Sequence, residues 1–231
     1  MALSIQLSTD FDPSAVNFSK LRKNRNGGKA VYINGAKNKK LHMQLPFMRA
    51  PFGLSSFTDE ATKRTSYSLD LSFDQGDEES AELQKKFEAL DDVILDTVVK
   101  NSKEWLGKSY NKSVAREALY KPLVRPGKES YPATVKVKVL TEPGSGKFVP
   151  SAYNMQQEEV SVDSIEKGQK VMCIIDVNQI WFIDNKFGVS LRLQQVLLEP
   201  SKKLPAFAFQ GITTEEADDE VDEEEEFIEE E

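Results

Sequence analysis

Residues 65–105 read TSYSLDLSFDQGDEESAELQKKFEALDDVILDTVVKNSKEW, and within that stretch the hydrophobic period changes. In 65–73, Tyr67, Leu69, Leu71 and Phe73 alternate with Ser66, Ser68, Asp70 and Ser72. Successive side chains of a strand point to opposite faces, so this reads as a strand with one buried face and one wet face. From Ser80 to about Trp105, the residues Leu83, Phe87, Leu90, Ile94 and Val98 recur at steps of four and three. That spacing lines one side of a helix and puts Lys85, Lys86, Glu88, Asp91 and Asp92 on the solvent side.

Outward from this pair, the strand period returns on both flanks. Toward the N-terminus, residues 30–34 and 41–45 are β-rich and flank a turn-like 35–40, which predicts a hairpin. Pro46 and Pro51 are expected to interrupt regular structure. Toward the C-terminus, a short helical piece is predicted at 113–119. Beyond Pro122 and Pro126, Val135, Val137 and Val139 alternate with Lys136 and Lys138. Residues 171–175 and 180–183 are apolar and β-branched, and 187–198 alternates over a long stretch. The order is about three strands, one long helix, then three or four strands. A mainly β fold with one long helix follows, and a helix between strands 3 and 4 of a small Greek-key barrel is an OB-fold-like arrangement. An open α+β sheet with the helix on one face fits the same order. The expected organisation is a basic N-terminal segment (1–28), the barrel (29–199), a linker (200–214) and a tail (215–231).

The formal charge of -8 conceals a division along the chain. Residues 215–231 hold 13 acidic side chains and no basic one. The other 214 residues therefore carry 25 acidic and 30 basic side chains, a balance of +5. Such asymmetry suggests a polyanion-binding body joined to a segment that competes with polyanions. The tail has too little apolar surface to offset its ordering entropy and is expected to be disordered.

The sequence offers little to a catalytic reading. His42 is the only histidine and Cys173 the only cysteine, so a zinc site of the usual kind cannot be assembled. His42 falls in a predicted strand and reads as half-exposed. Gly144-Ser145-Gly146-Lys147 lacks the first glycine and the final Ser or Thr of a phosphate loop, with Thr141 and Phe148 in those places. Neither a secretory signal nor an apolar run long enough to span a membrane is apparent. A non-enzyme without metal or cofactor is the expectation.

What the sequence does offer is cations interleaved with rings. Residues 14–58 contain no Asp or Glu, but contain Lys20, Arg22, Lys23, Arg25, Lys29, Lys37, Lys39, Lys40 and Arg49. Phe18, Tyr32, Phe47, Phe52 and Phe57 lie among them. Binding a single strand without sequence preference takes cations that track phosphates and flat side chains that stack on bases. The candidate contacts are Lys20, Arg22, Lys23, Arg25, Lys37, Lys39, Lys40 and Arg49 with Lys136, Lys138 and Arg192, and Tyr32, Phe52 and Trp181 as leading stacking residues. Tyr67, Tyr110, Tyr120 and Tyr131 are further candidates, and Trp105, at the helix end, reads as a core anchor.

Five strings carry a family resemblance: Ala50-Pro51-Phe52-Gly53-Leu54-Ser55, Tyr67-Ser68-Leu69-Asp70-Leu71-Ser72, residues 101–108 (NSKEWLGK), Tyr120-Lys121-Pro122-Leu123-Val124, and residues 180–193 (IWFIDNKFGVSLRL). In this order, over roughly residues 46–196, the chain resembles single-stranded DNA-binding proteins of nucleocytoplasmic large DNA viruses, including those of algae. That family is similar to the podophage single-stranded DNA-binding proteins with acidic C-terminal tails. The resemblance implies an OB-fold core, coating of replicating DNA with roles in replication, recombination and repair, and further copies of the chain as partners. It also implies an acidic tail that competes for the groove and recruits a polymerase, primase or helicase. Asp218, Asp219, Glu223, Glu224, Phe227 and Ile228 are the matching tail residues, in a host nucleus or cytoplasmic viral factory. Two other readings of the charge division are an acidic-tailed chaperone or scaffold for basic proteins, and a virion structural protein.

Overall fold

The alternation at 65–73 forms one strand of a closed barrel, and the helical spacing after it forms the helix that follows that strand. The computed structural model describes residues 4–23, 28–200 and 208–209. Five strands form the ring: β1 (His42–Arg49), β2 (Thr65–Ser72), β3 (Thr134–Val139), β4 (Lys170–Ile183) and β5 (Lys186–Leu198). β1 meets β2 antiparallel at Arg49 and Ser72, and β2 pairs antiparallel with β3 from Tyr67–Val139 to Ser72–Thr134. β3 then runs parallel to β5, with Lys138 opposite Arg192. β5 pairs antiparallel with β4, and β4 returns to β1. The ring order β1-β2-β3-β5-β4-β1 is that of an OB-like Greek-key barrel.

The inward residues are the ones the alternation marks. Met43, Leu45, Leu69, Leu71, Val135, Val137, Ile175, Val177, Ile180, Leu191 and Leu193 are all buried. The helix α1 (Glu78–Lys100) starts at Asp77, whose carboxylate accepts from the Ser80 N–H at 2.9 Å. It presents Leu83, Phe87, Leu90, Ile94 and Val98, all buried, to one end of the barrel. Phe87 meets Phe73 edge-on at 6.4 Å between ring centroids. Burying side chains of this size stabilises the fold by roughly 1.5–3 kcal/mol each.

Several expectations change in the folded chain. The strand Lys29–Asn34 lies outside the ring, so α1 follows the third of the strands expected from the sequence but only the second strand of the ring. The 30–34 and 41–45 segments do not form a ladded hairpin: they share one bridge, Asn34 to Lys40, and lie end to end along β4. Pro46 does not interrupt β1. It sits with Leu45 opposite Cys173, where the register slips by one residue, and a proline's missing N–H is tolerated at such a bulge. Residues 171–175 and 180–183 form one strand, β4, bulged near Asn178.

The N-terminal residues also belong to the body. Ile5–Leu7 runs parallel to β1, and Phe11 is buried in the core. The short helical piece lies at Lys112–Val114, continuing as a single π-type turn over Ala115–Leu119. The chain divides into two units, Met1–Ser201 and Lys202–Glu231.

Candidate nucleic-acid interface

Because Val135, Val137 and Val139 point inward, Lys136 and Lys138 must point out of β3. They open onto a groove of about 370 Å³ on the outer face of the barrel. Lys29, Lys121, Arg125, Gln179, Trp181 and Ile183 also line it, and no carboxylate residue is among the lining residues. Lys136 is partly compensated from beneath, its Nζ lying 3.4 Å from Asp70 Oδ2. Lys138 faces a like charge: Arg192 stands opposite it across the β3–β5 pair. Burial first, and then the Arg192 charge, push the Lys138 ammonium below its usual range.

Trp181 supplies the flat surface. It is half-buried on the outer side of β4, directly across from Gly188 of β5. A Cβ at Gly188 would lie 2.8 Å from Trp181 Cζ2 and 2.9 Å from the Lys121 carbonyl oxygen. Only a glycine lets the indole and the 120–121 strand close over β5 together. The inner side of the same hairpin is a ring pile: Phe182 stacks on Phe187 at 6.1 Å, and Tyr120 and Trp105 flank them at 5.0 and 5.9 Å. Ile183, 60% exposed, marks the lip, just before a tight turn with Asp184 and Asn185 at positive φ.

Lys121 and Arg125 reach the groove through a buried carboxylate. Asp91, expected on the wet side of α1, is only 6% exposed. It accepts from the Tyr120 hydroxyl, from the Leu123 N–H at 3.0 Å and from the Val124 N–H at 3.4 Å. The 120–125 segment is thereby held to the helix, with Lys121 and Arg125 on its open side. Burial pushes the Asp91 carboxyl up to about 6 despite these hydrogen bonds.

The structure therefore brings Lys136, Lys138 and Trp181 together in the groove, with Arg192 opposite Lys138, and adds Lys29, Lys121 and Arg125, which sequence reasoning did not group with them. Lys29 also donates to the Trp105 carbonyl at 3.2 Å. Lys37, Lys39 and Lys40 line a separate depression with Ser4, Gln6 and His42. Arg49 belongs to a third, with Lys170, Asp74 and Asp77. Phe52 is 61% exposed in the turn after β1, away from the groove lining. Lys20 and Lys23 are exposed near the outer edge of the strand Lys29–Asn34, and Arg22 lies over Tyr32. His42 is buried at 7% exposure, opposite Asp176, rather than half-exposed. Tyr67 packs edge-on against Phe148. Arg25 and the tail residues Asp218, Asp219, Glu223, Glu224, Phe227 and Ile228 lie outside the described residues. Among the described residues, no group of three or more His, Cys, Asp and Glu is placed to hold a metal.

A family model described as "Family of unknown function (DUF5871)" matches residues 70–212. No curated protein matches the chain. Among solved structures, the single-stranded DNA-binding protein gp2.5 of bacteriophage T7 is similar at 14% identity and a TM-score of 0.46, covering 82% of this chain and 100% of its own. The single-stranded DNA-binding protein of bacteriophage Enc34, in complex with single-stranded DNA, is similar at 13% identity and a TM-score of 0.42, covering 81% and 97%. At such scores, function has to be argued from this chain's own surface.

Proposed function

The chain belongs to the family described as being of unknown function (DUF5871), and from that premise we propose that its barrel binds single-stranded DNA without sequence preference. The observation that carries the reading is the groove, in which an accessible indole is surrounded by cations and no carboxylate lines the wall. Lys121, Arg125, Lys136, Lys138 and Arg192 neutralise phosphates, and a base stacks on Trp181. A base inside a duplex has both faces covered by its neighbours, so an indole platform favours an unpaired strand. The choice of DNA rests on the sequence resemblance.

In this proposal the protein coats strands exposed during viral DNA replication, recombination and repair. The acidic tail, tethered to a cationic body, competes with phosphates at high effective concentration. Once displaced by DNA, it is free to recruit a polymerase, primase or helicase.

Titration with fluorescent oligo-dT, duplex DNA and RNA at several salt concentrations tests the reading. Five cations on a single strand predict a slope of about -3.5 for log K against log salt. Trp181→Ala is expected to cost about 1–3 kcal/mol of binding with that slope unchanged. A flat salt response, or equal affinity for duplex, would refute it.

A further inference from the structure

The sheet register places a second flat surface beside Trp181. Gln179 of β4 stands opposite Tyr32, and Trp181 opposite Ala30. Side chains two residues apart on a strand share a face, so Trp181 and Tyr32 project from the same side of adjacent strands as diagonal neighbours. Diagonal pairs stand about 7–8 Å apart. Gln179, the direct cross-strand partner of Tyr32, lines the groove with Trp181.

Tyr32 is held by more than its own strand. Its N–H donates to Ser19 Oγ at 2.9 Å, and the Ser19 N–H donates back to the Tyr32 carbonyl at 3.0 Å. This clamp leads into the short strand Arg22–Lys23, which pairs with Ala30 and Lys29. The Arg22 guanidinium consequently lies over the Tyr32 ring, 5.2 Å from its centroid. The ring is half-buried and the arginine exposed, so the guanidinium is the more accessible of the two groups. Attraction to the ring holds it in place before any ligand arrives.

We propose that Arg22 and Tyr32 form a second base platform, on which the nucleotide next to the one stacked on Trp181 rests against the guanidinium. The proposal rests on the single-strand reading of the groove and deepens it. Guanidinium planes serve as stacking surfaces for unpaired bases. The sheet spacing between the Tyr32 and Trp181 positions is about twice the ~3.4 Å rise per nucleotide of a duplex strand. Neighbouring bases reach both surfaces only when the strand is stretched and unstacked, so the pair of platforms selects against duplex by geometry as well as by access.

Arg22→Lys tests this directly, because lysine keeps the charge and loses the plane. The measurement is affinity for oligo-dT of increasing length, together with the salt slope and the quenching of tryptophan fluorescence. For oligonucleotides long enough to span both platforms, Arg22→Lys is expected to lose about 5- to 100-fold in affinity. The shortest oligonucleotides, the salt slope and the fluorescence quenching at saturation should be unchanged. Tyr32→Leu should lose the same increment, and the double variant little more, as expected for two residues acting as one unit. If Arg22→Lys binds like the parent while Arg22→Ala only flattens the salt slope, Arg22 is a phosphate contact and the platform is refuted. Loss at every length with altered quenching would show a disturbed groove and refute it equally. If the parent protein itself shows no quenching by oligo-dT, the groove reading fails first, and that result is distinct from either.

Discussion

Lys138 bears a cost in the free protein that a bound phosphate would relieve. Desolvation and the Arg192 charge both disfavour its ammonium, and Lys138→Met is expected to weaken oligo-dT binding. The salt slope should fall in magnitude by about 0.7, the contribution of one phosphate on a single strand. A variant that keeps the parent's slope would contradict this. Asp91 gives a second prediction at the same scale. Its carboxyl holds a proton up to about pH 6 in the folded chain, against an ordinary value of 3.8. The folded state therefore takes up the proton more readily than the unfolded state. The resulting stability is full below about pH 4 and is lost as the pH rises through about 6. Asp91→Asn cannot titrate, so the parent should lose stability relative to it between pH 4 and pH 7. The relative loss is at most about 3 kcal/mol for a shift of roughly two units. Parallel melting curves against pH would disprove it. Asp91 also shows where periodicity misleads. It sits one position from Leu90 on the buried side of α1, and its burial depends on hydrogen-bond partners some thirty residues away.

At the scale of elements, the strand at 65–73, the helix after it and the long alternation at 187–198 were legible because each spans several periods. The strands Tyr120–Lys121 and Val124–Arg125 are two residues long and have no period to read. Yet they carry two of the groove cations, and this is why Lys121 and Arg125 went unnoticed. The run at 35–40 misled in the opposite sense. Its lysines are dense in sequence, but Lys37 and Asn38 both have φ of 56°, and the turn directs its lysines into a depression of its own. Pairing of β5 with β4 and with the 120–121 strand depends on Gly188. Gly188→Ala is expected to cost about 1–3 kcal/mol of stability through overpacking. It should also shift the Trp181 emission and reduce its quenching by oligo-dT. An unchanged spectrum would mean that the indole does not rest where the geometry puts it.

For the whole molecule, the division between a body of +5 and a tail of -13 predicts an effect of truncation. Removing residues 215–231 should tighten single-strand binding at low salt, and the gain should shrink as salt screens the tail. Equal affinities with and without the tail at low salt would exclude the competition. This charge division was fully visible in the sequence. The groove was not, because its residues come from β3, β4, β5 and the 120–125 segment, which meet only once the ring is closed.

Closure has its own consequence for biosynthesis. β1 finds its partner β4 only after roughly 120 further residues have left the ribosome, which at ~5–20 residues per second takes about 6–24 s. During that interval the side of β1 that will face β4 is an open, hydrogen-bond-hungry edge on a nascent chain. Translation pauses between residues 140 and 170 would lengthen that exposure, and misassembly with neighbouring chains would be sown there.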